Sequence, residues 1–212
     1  MPHYTVACII QARSNSKRLP NKWRLQLGDL MVVDRVVEAA LNAKKTNIVV
    51  VVVPFLDDPL IKHLANKGYN IFTGSEDNVL DRFYQCAKLL QPKHIVRLTA
   101  DCPLLTPEII DETIMRHLLS GADYTANRLD SDGYPDGFDV EAFTYDMLRD
   151  AWAHAKKDET EHVTTYIKRA ARHLCQVVRP KNLDPYVETK LSLDTYEDYG
   201  RIIGWREEML WR

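Results

Sequence analysis

The stretch Gln11-Ala12-Arg13-Ser14-Asn15-Ser16-Lys17-Arg18-Leu19-Pro20-Asn21-Lys22 places four cations directly after the apolar run Cys8-Ile9-Ile10. The first acidic residue is Asp29, so residues 1–28 carry Arg13, Lys17, Arg18, Lys22 and Arg24 with no negative charge, on a chain that sums to −2. A local cationic loop on a nearly neutral protein is built for a polyanion. Its place at the end of a first strand points to the phosphates of a nucleotide. Arginine forks take phosphate oxygens two at a time, and lysine adds a mobile point charge. A solvated basic surface is the alternative; Lys17 and Arg24 suit it best. Two carboxylates could complete the chemistry. Asp101 follows an apolar strand and Asp194 ends the expected strand Lys190–Leu193, and hard oxygens of this kind suit Mg²⁺ shared with phosphate oxygens. The competing roles are a turn before Pro103 for Asp101 and a helix N-cap before Thr195 for Asp194.

Positioning these groups falls to alternating strands and helices. Strands are expected at Tyr4–Ile10, Ile48–Val53, Asn70–Phe72 and His94–Leu98, with helices at Val32–Ala43, Pro59–Asn66 and Val79–Leu90. The continuous β-branched run Ile48–Val53 reads as a strand buried on both faces of a parallel sheet. Thr106-Pro107-Glu108 offers an N-cap, a proline at the first helical position and an acid in the first turn. The second half is less regular. Strands are expected at Asp123–Ala126, Val140–Phe143, Leu174–Val178 and Lys190–Leu193, and helices at Tyr145–Ala155 and Glu161–Ala171. A last helix opens on the capping-box-like Thr195-Tyr196-Glu197-Asp198. The pattern predicts an α/β fold, a three-layer α/β/α arrangement on a mostly parallel sheet. One domain is expected over 1–212: a nucleotide-binding part about 1–120, an acceptor and dimer part about 121–190, and a terminal helix 195–211.

Composition narrows the classes. At 45% hydrophobic and 27% charged the chain is an ordinary globular one. The longest apolar run is too short for a bilayer span and the N-terminus does not read as a signal peptide, so no membrane partner and a cytoplasmic location are expected. Cys8, Cys86, Cys102 and Cys175 are scattered without a C-x-x-C, against a zinc site or disulfide framework. Cys8 and Cys86 read as small buried hydrophobes. The glycine patterns of P-loop enzymes and of dinucleotide-binding dehydrogenases are both missing. The aromatics Tyr196, Tyr199, Trp205 and Trp211 are expected to pack the last helix onto the sheet. Without a broad basic surface, nucleic acid is not an expected partner.

Beyond these physical readings, Ile9-Ile10-Gln11-Ala12-Arg13-x-x-Ser16-x-Arg18-Leu19-Pro20-x-Lys22 resembles the signature of the spore-coat polysaccharide (SpsF-type) cytidylyltransferases, relatives of the CMP-KDO and CMP-sialic acid synthetases. The resemblance continues through Phe72–Arg82, Val96–Leu104, Pro135–Glu141, Glu161-His162-Val163-Thr164 and Leu193-Asp194-Thr195, in order over nearly the whole chain. Where the family has glycine this chain has Asn15 and Asn21, and asparagine is the residue that best replaces glycine in left-handed backbone. The resemblance implies a nucleotide-diphospho-sugar-transferase-like fold, Rossmann-like without the glycine fingerprint. It implies that Arg13, Arg18, Lys22 and Asp101 are catalytic. Nucleotide binding would fall to Gln11, Ala12, Arg13, Ser16, Lys22, Thr73, Gly74, Ser75 and Asp101, with Asp101 and Asp194 holding Mg²⁺. Ser75 would touch the base; the bland alternative is N-capping by Ser75 or Asp77, with Asp81 and Arg82 facing solvent. Acceptor contacts would come from Arg97, Asn127, Asp136, Asp139, Glu141 and His162; the alternatives are a strand-end ion-pair partner for Arg97 and a structural histidine for His162. A homodimer is implied, with Asp136–Phe143 a candidate contact.

The reaction expected on this resemblance is transfer of CMP from CTP to a small anionic acceptor, a sugar acid, a sugar or polyol phosphate, or a phosphonate, with release of pyrophosphate. A nucleotide-sugar-dependent glycosyltransferase is one rival, weakened because Asp101-Cys102-Pro103 is not an Asp-x-Asp motif. A nucleotide-binding regulatory protein without turnover is the other.

Overall fold

The computed structural model describes residues 5–130, 132–186 and 188–210; Tyr4 and Trp211, named above, lie outside the described residues. Its centre is a parallel sheet of β1 (Val6–Gln11), β4 (Ile48–Pro54), β5 (Ile71–Gly74) and β6 (His94–Thr99), close to the first four strands expected. β7 (Tyr124–Ala126), β8 (Glu141–Thr144) and β9 (Leu174–Gln176) extend it to seven strands in the order β5-β4-β1-β6-β8-β7-β9. β8 runs antiparallel to both its neighbours; every other pairing is parallel. A small hairpin of β2 (Gln26–Leu27) and β3 (Leu30–Met31), not foreseen, follows the cationic loop.

Alternation along the strands fills both layers. Cys8, Ile10, Val49, Val51 and Val53 pack under α1 (Val32–Asn42), α2 (Asp58–Asn66) and α4 (Pro107–Ser120). Ile9, Val50, Val52 and Ile95 face α3 (Val79–Leu90), α5 (Tyr145–His154) and α6 (Thr165–Ala170) on the other side. A strand buried on both faces needs such an unbroken apolar run. The Thr106 cap forms, its hydroxyl accepting from the Ile109 amide at 3.5 Å. All four cysteines are free, and Cys8 and Cys86 are buried as expected.

Three expectations need correction. Lys190–Leu193 is not a strand, because its amides are spent on loops: Leu191 donates to the Asp136 carbonyl (2.8 Å) and Leu193 to the Asp101 carbonyl (2.8 Å). Residues 161–164 form a turn ahead of α6 rather than its first turn. The terminal helix α7 (Tyr196–Leu210) does not use Tyr196 for packing, since that ring is 72% exposed. Trp205 instead meets Phe138 and Tyr186 edge-on, and the Tyr199 hydroxyl donates to the Gln26 carbonyl. The helix thus docks on the hairpin and the 134–138 loop through a third apolar cluster that includes Leu27, Phe138, Leu191 and Leu193.

Candidate active site

At the carboxyl ends of β1 and β6 a cleft of about 480 Å³ opens where the strand order reverses. Open α/β sheets bind ligands at such switch points. The cationic loop forms one wall, and the chain builds it with care. The Asp57 carboxylate, at the entry to α2, accepts from the Ser14 amide (2.6 Å) and hydroxyl (2.5 Å), while Trp23 Nε1 donates to the same hydroxyl oxygen (2.8 Å). The Ser14 carbonyl then accepts from the amides of Ser16 (2.9 Å) and Asn21 (2.8 Å), closing the loop on itself. Asn21 has φ 57° and ψ 27°, the left-handed conformation that its substitution for glycine implied. Asn15 does not adopt it; its amide donates to Glu76 (3.1 Å). Asp57 is a residue that the sequence did not single out, since it holds the loop from 43 positions away.

Lys22 is the hub of the site. Its Nζ donates to Asp101 Oδ2 (2.7 Å), the Leu193 carbonyl (2.7 Å) and Asp194 Oδ1 (3.1 Å), which uses all three ammonium hydrogens. Arg18 (2.8 Å) and Lys190 (3.0 Å) both reach Asp194 Oδ2. Burial by itself would raise the Asp194 pKa, but Lys190 and Lys22 outweigh it and hold the carboxyl below its ordinary value. Asp194 is not the helix cap: Thr195 Oγ1 accepts from the Asp198 amide (3.2 Å), and Asp198 Oδ2 accepts from the amides of Thr195 (2.9 Å) and Asp194 (3.0 Å). The capping box therefore leaves the Asp194 carboxylate to the cleft and fixes its backbone. Among the described residues no three His, Cys, Asp or Glu side chains gather as a metal cage. Asp101 and Asp194 nevertheless aim one oxygen each at a shared cationic point, a donor set that fits Mg²⁺, which binds through one or two carboxylates plus phosphate and water.

The other expected residues divide. Gln11, Ala12, Arg13, Ser16, Arg97, Asp136, Asp139 and His162 all line the cleft. Arg13 lies 3.5 Å from Glu161, an exposed pair of little energetic weight that leaves both groups available. Burial raises the Asp139 pKa, in part offset by the Gly137 amide and Arg128. Thr73, Gly74 and Ser75 do not form the wall; Val79 and Arg82 do. The Ser75 hydroxyl accepts from the Asn78 amide (3.0 Å), and Asn78 rather than Ser75 or Asp77 caps α3 (2.8 Å to the Asp81 amide). Asn127 is fully buried, its amide donating to the Phe138 carbonyl (2.5 Å) and accepting from the Val140 amide (2.8 Å), so it shapes the loop instead of meeting a ligand.

Glu141 is also withdrawn from the cleft. It stands opposite Arg97 in the β6–β8 register and accepts from the Arg97 guanidinium, the Tyr124 hydroxyl (2.5 Å), the Thr164 hydroxyl (2.9 Å) and Lys168 (2.8 Å). Burial would raise its pKa; the Arg97 and Lys168 charges overcome this and bring it to about 2. Arg97 Nε in turn donates to Gln11 Oε1 (3.1 Å), so the buried carboxylate orients two cleft side chains. Cys102 also lines the cleft, but burial, with Asp139 and Asp101 nearby, raises its thiol well above the ordinary range and disfavours the thiolate. The apolar residues of the Asp136–Phe143 segment, Phe138, Val140, Ala142 and Phe143, are buried within the chain and are not available as a dimer contact.

A switch-point cleft with a cationic loop on one side and paired carboxylates on the other defines an α/β nucleotidyltransferase. The chain belongs to the cytidylyltransferase family, whose model matches residues 7–202. It is 34% identical over 203 residues to the spore coat polysaccharide biosynthesis protein SpsF of Bacillus subtilis, covering 92% of this chain and 83% of that protein. A cytidylyltransferase structure from Leptospira borgpetersenii superposes with a TM-score of 0.85 at 28% identity, over 95% of this chain and 86% of the other. The fold is shared with a CMP:2-keto-3-deoxy-manno-octonic acid synthetase solved with CTP (TM-score 0.72, 13% identity, 96% and 99% covered). It is shared too with Rv0371c of Mycobacterium tuberculosis solved with manganese (TM-score 0.68, 13% identity, 94% and 98% covered). No helix among the described residues is long and apolar enough to cross a membrane.

Proposed function

We propose that this cytidylyltransferase transfers CMP from CTP to a sugar-type acceptor bearing an anionic oxygen: a sugar acid, a sugar or polyol phosphate, or a phosphonate. The observation that carries this reading is the convergence of Lys22, Arg18, Asp101 and Asp194 at one end of a cleft that Arg13 and Arg97 also line. The acceptor oxygen attacks the α-phosphorus in line; its P–O bond forms as the bond to the β-phosphate oxygen breaks, and pyrophosphate leaves with the electron pair. Arg13, Arg18 and Lys22 neutralise the triphosphate and the charge that grows on the leaving group. Asp101 and Asp194 would hold Mg²⁺, which when bound polarises the α-phosphate. An acceptor that is already an anion needs no strong general base.

The test is pyrophosphate release from CTP, UTP, GTP and ATP with Mg²⁺ and a panel of anionic acceptors. CTP-selective release dependent on one acceptor class is the expected result. Tight CTP binding with no release across the panel supports a regulatory protein, and consumption of a nucleotide sugar supports a glycosyltransferase.

A further inference from the structure

Arg82 sits at the fourth position of α3, where the sequence allowed a solvent-facing residue. It is 2% exposed and forms part of the cleft wall beside Val79. Its Nη1 donates to the Ser75 carbonyl, but its Nε is buried with no hydrogen-bond partner. Among the described residues no carboxylate pairs with it; Glu76 and Asp57 act on it only from a distance. The other cleft cations differ. Arg13 has Glu161, Arg18 has Asp194, Lys22 has two aspartates, Arg97 has Glu141, and Lys17 is exposed to water. A buried charge is ordinarily paired, because desolvation without compensation is costly. Burial first, and Arg13 next, lower the Arg82 pKa to about 10, so it stays protonated at neutral pH.

The surroundings are built to keep this side chain in place. A Cβ on Gly74 would lie 2.8 Å from Arg82 Cγ and 3.1 Å from its Cβ, so glycine leaves room for the arginine stem. The Ser75 carbonyl orients one end of the guanidinium, and the Ser75 hydroxyl and Asn78 hold the start of α3. The Gly74-Ser75 pair thus serves as a seat for Arg82.

We infer that Arg82 is a substrate-binding residue whose guanidinium takes a phosphate or carboxylate oxyanion brought into the cleft it shares with Arg13. The inference deepens the cytidylyltransferase reading and rests on it. The oxyanion can come from the nucleotide or from the acceptor.

Arg82→Met and Arg82→Lys are compared with the wild type by calorimetry, using cytidine, CMP and inorganic phosphate as separate probes, together with the Tm of each ligand-free protein. Arg82→Met is expected to lose about tenfold or more in oxyanion affinity, the scale of one charge-assisted bidentate contact, while Arg82→Lys retains part of it. Loss for CMP but not cytidine assigns the oxyanion to the nucleotide. Loss for inorganic phosphate with the CMP-to-cytidine ratio unchanged assigns it to the acceptor. The ligand-free Arg82→Met protein is expected to melt no lower than wild type, since a desolvated unpaired charge has been removed. Equal losses for cytidine and CMP place Arg82 on the base and overturn the proposal. Unchanged CMP and phosphate affinities also overturn it, as does a lower Tm in both variants without loss of binding. Should Arg82→Met fail to fold, unaltered affinities in Arg82→Lys overturn the proposal on their own. A wild-type protein that binds no cytidine nucleotide overturns the proposed function, whereas the phosphate probe still decides Arg82.

Discussion

At the scale of single residues, Lys22 is the point through which the site is organised. Its ammonium separates Asp101 and Asp194, two carboxylates that would otherwise face each other unscreened. Lys22→Ala is expected to weaken CTP binding by about tenfold or more while leaving CMP within about threefold, because a positive charge beside the triphosphate is lost and Asp101 and Asp194 are left unscreened against it. Calorimetry with both ligands checks this; equal losses mean that Lys22 shapes the loop rather than gripping phosphate. Asp101→Asn keeps the hydrogen-bond acceptor but removes the charge. Pyrophosphate release should fall to background while far-UV circular dichroism stays unchanged, and near-normal Mg²⁺-dependent turnover would remove Asp101 from the metal site.

At the scale of elements, the 190–194 segment delivers Asp194, and Gly137 determines where that segment runs. Gly137 has φ 104°, and a Cβ there would sit 2.3 Å from the Leu191 carbonyl carbon. Gly137→Ala must therefore push the segment away, and a destabilisation of at least about 2 kcal/mol is expected from strain and lost packing. Thermal unfolding and CTP binding should both suffer, although residue 137 is not a cleft-wall residue; a wild-type Tm would show that the two loops separate freely. The central strands were legible because Ile48–Val53 and His94–Leu98 carry their signal in consecutive residues. The 190–193 segment was not, since alternating Leu191 and Leu193 mimic a strand while their amides bond to Asp136 and Asp101. The cationic loop and both aspartates were readable as charges at the ends of expected strands. Arg82 and Glu141 were not, because burial of an arginine on a helix, or pairing of Arg97 with a residue 44 positions later, depends on register between elements. Asp57 was hidden for the same reason, bonding to Ser14 43 residues back.

At the scale of the whole molecule, buried titratable groups set the response to acid. His117 is buried between His94 and Thr125, 3.0 Å from each partner, and burial followed by the His94 charge lowers its pKa to about 4 from the ordinary 6.5. The unfolded chain then binds more protons between those values, so stability is full above about pH 6.5 and declines toward pH 4. Glu141 and Asp198, both held near 2, add a second decline that starts below their ordinary values of 4.5 and 3.8 and ends near pH 2. Urea midpoints measured from pH 7.5 down should show the first slope, approaching about 1.4 kcal/mol per pH unit for one proton, and His117→Gln should flatten it. A flat profile in the wild type between pH 6.5 and 4.5 would contradict a neutral buried His117. The pairing of Lys22 with Asp194 spans 172 positions and that with Asp101 spans 79. Because a ribosome releases the chain from its amino end, the cationic loop emerges long before its last acidic partner. Until residues 193 and 194 have followed, Lys22 lacks two of its three hydrogen-bond acceptors and Arg18 lacks its carboxylate partner.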